Sequence, residues 1–157
     1  MNIFVLAENP SLSAVMMCDK HVVKMVLETA QLLCSQFEPG KAPYRRTHYN
    51  HPCSKWARER KANFEWLVYH GISLSKEYNF RYGKTHKSLE AILWAEANMN
   101  QLNLYDTGLM SHFAQAMPDK YKHRNAVTAY RNYYLGEKSR FAKWEKGRKA
   151  PEWWITS

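Results

Sequence analysis

His21, Lys24 and Glu28 project from one narrow face of a segment whose other positions are largely apolar. A carboxylate held beside positive groups stays ionised in a partly dry cleft, where it can act on a developing cation or take a proton. The same strip, extended by Lys20 and Gln31, is equally compatible with a solvated helix face. A second reactive group lies at the chain start. The apolar run Ile3-Phe4-Val5-Leu6 follows Met1 and Asn2 at once, so the α-amine is expected near the core, and the bulk of Asn2 predicts that Met1 is retained. An α-amine titrates at about 7.7–8.0 in unperturbed peptides, far below lysine, and is a usable nucleophile near neutral pH. An anchored but inert terminus is the alternative.

Two clusters hold metal-ligand types, Cys18-x2-His21 and His48-x2-His51-x-Cys53. Zinc sites favour Cys-x2–4-Cys or His-x3–5-His spacings and four convergent groups, which these clusters do not match. Cys18 also falls on the apolar side of its helix while His21 does not. No metal and no cofactor is expected. The zinc-deaminase pattern, the Walker loop, the dinucleotide fingerprint and the nucleophile elbow are absent from the sequence.

Basic residues alternate with aromatics in Tyr44-Arg45-Arg46-Thr47-His48-Tyr49 and in Tyr130-Arg131-Asn132-Tyr133-Tyr134. Arg and Lys supply phosphate contacts, and Tyr or His can stack on an unstacked base. Tyr133 and Tyr134 also suit a core-facing role with polar tips. Charge follows the same blocks: the net charge of +9 is concentrated in residues 41–61 and 120–149, whereas the first 40 residues hold two lysines and four acids. A polyanion is the natural partner. A basic surface kept for solubility is the plainer alternative.

The elements that must carry these groups read as helices. The 157 residues, 45% hydrophobic, suit one globular domain spanning 1–157. The fold class expected is all-α, a compact bundle of about four main helices with long basic loops. The first helix is expected from an N-cap at Ser11 or Ser13 to Cys34 or Phe37, buried over most of its circumference, with Asp19 facing the apolar arc and in need of a partner. A second runs from Pro52 to about Arg81 with Gly83 as its stop. A third covers 86–99, and a fourth starts near Asn125 with a kink at Gly136. Only residues 3–6 look extended, and the aromatic stretch 151–155 should dock on the body. Three cysteines, Cys18, Cys34 and Cys53, suggest reduced thiols. No apolar run reaches the length of a membrane span, and the N-terminus lacks the features of a secretory signal, so a monomer in the cytoplasm, of the host if the protein is viral, is expected.

Taken together, the anchored amine, the helix and the aromatic-basic segment resemble the phage endonuclease V family of pyrimidine-dimer DNA glycosylases. The family's mature terminus T-R-I-N-L is similar to Met1-Asn2-Ile3-Phe4-Val5. Its helix D-Q-H-L-M-A-E-Y-R-E aligns with Asp19 to Glu28, with Asp19, His21 and Glu28 coinciding, and its W-Y-K-Y-Y-G-K with Tyr130 to Lys138 after small insertions. The connection from terminus to helix is six residues longer here, and family arginines that grip the damaged duplex fall on Asn2, Leu27 and Gln31.

The resemblance implies a bifunctional DNA glycosylase and abasic lyase on damaged or modified bases. The Met1 amine would attack C1′ and form an imine, and Glu28 would stabilise the cationic sugar and assist β-elimination. DNA would be held through its phosphate backbone and an extruded nucleotide. The residues expected to meet it are His21, Lys24, Arg45, Arg46, His48, Lys55, Arg58, Arg131, Tyr133 and Lys138. Two other readings fit the same residues: a non-catalytic DNA-binding protein, and an enzyme acting on modified nucleotides or bases.

Overall fold

Residues 1–154 are described by a computed structural model. Asn9 caps the first helix, α1 (Pro10–Met16), its side-chain carbonyl accepting the Leu12 N–H at 3.0 Å with Pro10 in the first helical position. The chain then leaves helical geometry at Met17 and Cys18 and re-enters it as α2 (Asp19–Cys34). The single long helix expected from Ser11 or Ser13 is thus two helices capped elsewhere. Tertiary partners replace the lost helical bonds at the break. Arg81 donates to the carbonyls of Val15 and Met17, Trp144 Nε1 to that of Met16, and the Asp19 N–H reaches the Lys143 carbonyl at 2.8 Å. These groups come from residues 62 or more positions away, so no local pattern announces the break.

The expected helix from Pro52 also divides, into α3 (Pro52–Glu59) and α4 (Lys61–Tyr82). Arg60 is extended at φ −145° and ψ 150°. Here Asn63 donates to the Trp56 carbonyl at 2.8 Å, and the Lys61 N–H turns outward to the Tyr105 carbonyl at 2.9 Å. Gly83 stops α4 as expected, in the left-handed region at φ +70°, where a side chain is disfavoured. The third helix is shorter than 86–99, being α5 (Leu89–Ala97) followed by a 3₁₀ turn at Met99–Gln101. Asn125 caps α6 (Ala126–Glu137) through the Thr128 N–H. Gly136, expected as a kink, lies one residue from the end of α6, and its bare Cα leaves room for the Tyr121 ring.

The all-α class therefore holds: the described residues form six α-helices and no strand, two of the four expected helices being broken in two. Around the long α4 pack α1, α2, α3 and α5. At Gly71 a Cβ would meet Ile92 Cδ1 at 2.8 Å and Thr29 Cγ2 at 2.9 Å, so this glycine sets the close approach of α2, α4 and α5. Residues 2–7 are irregular and buried, and the C-terminal stretch docks its Trp144, Trp153 and Trp154 against Met16 and Tyr134. Ile155, part of the expected docking stretch, lies outside the described residues. No helix among those described is long and apolar enough to cross a membrane.

Candidate active site around the terminal amine

Asn2 fixes where the chain starts. Its side-chain carbonyl accepts the N–H groups of Ile3 at 2.7 Å and Phe4 at 3.0 Å, and its amide donates to the Ala116 carbonyl at 2.8 Å. Phe4 adopts φ +39°, an unfavourable conformation for an aromatic residue, which persists only because its surroundings over-determine it. Its ring stacks on His21 at 4.4 Å and on Tyr133 at 6.0 Å, while its carbonyl accepts from the Ser13 hydroxyl. Farther along, Arg131 donates to the Leu6 carbonyl at 2.9 Å. The terminal segment is a buried strap held at each step.

The strap delivers the Met1 amine to 3.6 Å from Glu28 Oε1. Lys24, one turn earlier on α2, places its ammonium 3.5 Å from Oε2. Glu28 accepts no hydrogen bond from the described residues, and its side chain retains 12% exposure. A nucleophile and a carboxylate thus meet at a partly buried position, with Glu28 not used up by hydrogen bonds from the described residues. Such a pair can attack an electrophilic carbon and handle the proton released.

The start of α3 lies near enough for the charges of Met1 and Glu28 to act on its cap residue. His51 is its N-cap, the ring Nδ1 accepting the Cys53 N–H at 3.1 Å. Burial lowers the His51 pKa, and the Met1 amine and His48 lower it further while Glu28 acts oppositely. Burial pushes the Cys53 thiol up to about 12, against smaller opposing effects from Tyr130, the Met1 amine and the Ile3 backbone. Tyr130 donates to the Ala114 carbonyl at 2.6 Å and accepts the Ala116 N–H at 3.2 Å, fixing the irregular segment that holds Asn2. Sequence reasoning weighed His51 and Cys53 only as metal ligands. The signal available was positional: His51 immediately precedes Pro52, the first helical residue, which makes it a cap.

The expected DNA-contacting residues divide by what their heads already hold. Lys24, Arg45, His48 and Lys55 are exposed. Lys138 is partly buried, its ammonium 4.5 Å from the centre of the half-buried Tyr133 ring. Three arginines are engaged inside the protein: Arg46 donates to the Ser35 and Phe37 carbonyls, Arg58 to the Tyr49 carbonyl and Gln36, and Arg131 to Leu6. Arg46 and Arg58 also sandwich the Tyr49 ring at 4.1 and 3.8 Å, which stiffens the basic loop.

His21, expected at the DNA surface, is 5% exposed. Its Nδ1 lies 2.6 Å from the Tyr134 hydroxyl, which also faces the Cys18 sulfur at 3.6 Å. Burial, reinforced by Lys138, Lys24 and Lys20, holds its pKa down at about 3. A neutral ring stacked on Phe4 positions the strap. Among the described residues, no three His, Cys, Asp or Glu side chains gather as a metal site. A separate cleft of about 770 Å³, bordered by Glu8, Arg60, Met110, His112 and Arg124, shares no lining residue with the amine site.

A helical protein with a terminal amine set against a carboxylate, and exposed basic residues at its surface, has the makings of an enzyme that acts on DNA. The sequence profile of the pyrimidine dimer DNA glycosylases matches residues 1–91, which include the strap, α2 and α3, and the chain belongs to that family. Family membership makes DNA its substrate. No curated protein and no solved structure matches the chain.

Proposed function

We propose that the protein excises pyrimidine dimers from DNA as a glycosylase with abasic-lyase activity, acting as a monomer through the Met1 amine. The observation that carries this reading is the 3.6 Å approach of that amine to a Glu28 carboxylate that accepts no hydrogen bond from the other described residues. Both groups belong to one chain, so no second copy is needed to complete the site.

In this mechanism the amine lone pair forms a bond to C1′ of the target nucleotide as the C1′–base bond breaks. The base leaves with that electron pair and takes a proton from solvent. Glu28 removes a proton from the attached amine and returns it to O4′ as the C1′–O4′ bond opens, leaving an iminium. The Glu28 carboxylate then takes the C2′ proton, the C3′–O bond breaks and the 3′ phosphate departs. Water hydrolyses the iminium and regenerates the amine. In this reading Lys24, Arg45, His48, Lys55 and Lys138 supply the phosphate contacts, and Tyr133 offers a partly open ring toward an extruded nucleotide.

Borohydride reduction on duplex DNA carrying an abasic site tests the reading directly. The expected result is a covalent adduct whose peptide map places the crosslink on Met1, with intact mass showing Met1 present. An adduct that persists after the α-amine is blocked by acetylation, or the lack of any adduct, refutes the terminal nucleophile.

A further inference from the structure

Tyr105 and Leu109 stand 66% and 69% exposed, the two most exposed large apolar side chains among the described residues, and the neighbouring Met110 is exposed as well. They share one turn, and that turn is rigid. Both of its legs are tied to the start of α4. The Lys61 N–H donates to the Tyr105 carbonyl at 2.9 Å, while Asn63 donates to the Ser111 hydroxyl at 2.8 Å and accepts the Ser111 N–H at 3.1 Å. Between the legs, with Gly108 at φ +75°, the Gly108 N–H donates to Asp106 at 3.1 Å and the Leu109 N–H to Thr107 at 3.2 Å. Arg60 donates to the Thr107 hydroxyl at 3.3 Å, and Lys61 pairs with Asp106, the acid of the turn, at 3.7 Å. The turn is thus preformed with its apolar side chains in water, so burying them on a partner costs little ordering.

The partner is one that takes very few side chains. A stable protein interface uses about 20–30 residues a side, far more than this turn offers, whereas a base step is opened by a single apolar wedge. Position and charge agree with DNA. Leu109 is seven residues from Ala116, whose carbonyl holds Asn2, so the tip lies within about 25 Å of that anchor, less than the ~34 Å of one duplex turn. Met110, Arg60 and the exposed Arg124 border one cleft, which sets two guanidiniums beside the tip. Glu8 and Glu59 line the same cleft and repel a phosphate strand from its interior, leaving the tip and the Arg124 rim to meet the duplex. We infer that Leu109 is a wedge that inserts between two base pairs of the duplex within one turn of the reacting nucleotide, while Arg124 takes a neighbouring phosphate. The inference rests on the duplex substrate of the reading above and not on its amine chemistry.

The test uses a duplex with one tetrahydrofuran abasic analogue, which cannot form an imine, and 2-aminopurine at successive positions flanking the analogue but not opposite it. Binding of the wild-type protein should raise the fluorescence at one flanking position by about threefold or more, as that base loses its stacking. Leu109→Ala should abolish the rise and weaken binding about tenfold, the scale of an apolar side chain returned to water, with an unchanged melting temperature because Leu109 is exposed. Leu109→Met, which keeps length and apolar character, should restore both to within about threefold of wild type. Arg124→Ala should lower the slope of log affinity against log salt by about 0.9 and leave the fluorescence rise in place. A wild-type complex with no rise at any flanking position, or Leu109→Ala that binds and unstacks as the wild type does, overturns the wedge. A concentration-dependent dimer of the free protein in sedimentation velocity, lost in Leu109→Ala, overturns it in favour of a second copy of the chain. Binding and unstacking by a protein that gives no borohydride adduct on a natural abasic site instead overturns the amine mechanism and supports the wedge.

Discussion

Asp19 and Glu28 are two carboxylates of one helix, nine residues apart and hence on opposite faces, both buried and both beside cations. Asp19 is saturated. Arg81 donates to it at 3.0 Å, the Glu145 N–H at 2.7 Å, and Arg81 is itself held by Glu77, which also binds Arg148. Among the described residues Glu28 has only the two looser ionic contacts at 3.6 and 3.5 Å. The difference separates a charge that holds the fold from one that is free to react. A network with short, complete hydrogen bonds fixes α2 against α4 and the C-terminal stretch, while an unsaturated carboxylate keeps its lone pairs for a substrate.

The sharpest way to break this comparison is to neutralise each acid in turn. Glu28→Gln should lower the trapping rate on abasic DNA by about 10³-fold, in the range of lost acid–base catalysis, with DNA affinity in a fluorescence titration changed less than threefold. Comparable loss of affinity would make Glu28 a structural or binding group like its partner. Asp19→Ala should do the converse. Arg81 keeps Glu77 and the Val15 and Met17 carbonyls but loses one carboxylate, and the Glu145 N–H loses its acceptor, so the change should cost about 1–3 kcal/mol in urea unfolding, while the folded fraction at low temperature traps DNA at nearly the wild-type rate.

The histidines extend the contrast with a smaller effect. His21 and His70 are buried and neutral, with burial lowering them to about 3 and about 4, and the His70 Nε2 has no partner among the described residues. Unfolded histidine takes a proton near pH 6.5, so the stability these rings confer is complete above that value and is lost as pH falls toward their folded values. Each should contribute about 1.4 kcal/mol per pH unit within that window. His21→Phe should flatten the slope of unfolding free energy against pH by one such amount and leave DNA affinity at pH 8 within threefold. A larger loss of affinity would return His21 to the DNA surface.

The smallest effect concerns the basic loop. Lys55 is exposed, whereas Arg58 is bound to Tyr49 and Gln36. Lys55→Ala should reduce the slope of log affinity against log salt by about 0.9, the value of one phosphate contact, without moving the melting temperature. Arg58→Ala should instead lower the melting temperature. The opposite pattern would reverse the division between structural and substrate-facing arginines and lysines.

Much of the helical content was legible because its signals are local. Asn125 as a cap, Pro52 at a first turn and Gly83 as a stop each act through neighbouring backbone groups. The breaks at Met17–Cys18 and at Arg60 were not legible, since the groups that replace the helical bonds there include Arg81, Trp144 and Tyr105, distant in sequence. The need of Asp19 for a partner could be read from its place on an apolar face; that the partner is Arg81 could not. Among the basic residues, type predicted attraction to phosphate, yet only packing distinguishes the free Lys55 from the engaged Arg46, Arg58 and Arg131.

By itself the sequence determined the helical class, the uneven charge and the presence of a terminal amine and a helix-borne carboxylate, because composition, periodicity and capping are properties of near neighbours. Only the tertiary structure decided that the amine lies 3.6 Å from Glu28 and that His21 is buried beneath Phe4. Those placements depend on Asn2 bonding to Ala116 and Arg131 to Leu6, contacts 114 and 125 residues apart, which are made only when the chain has folded around its core.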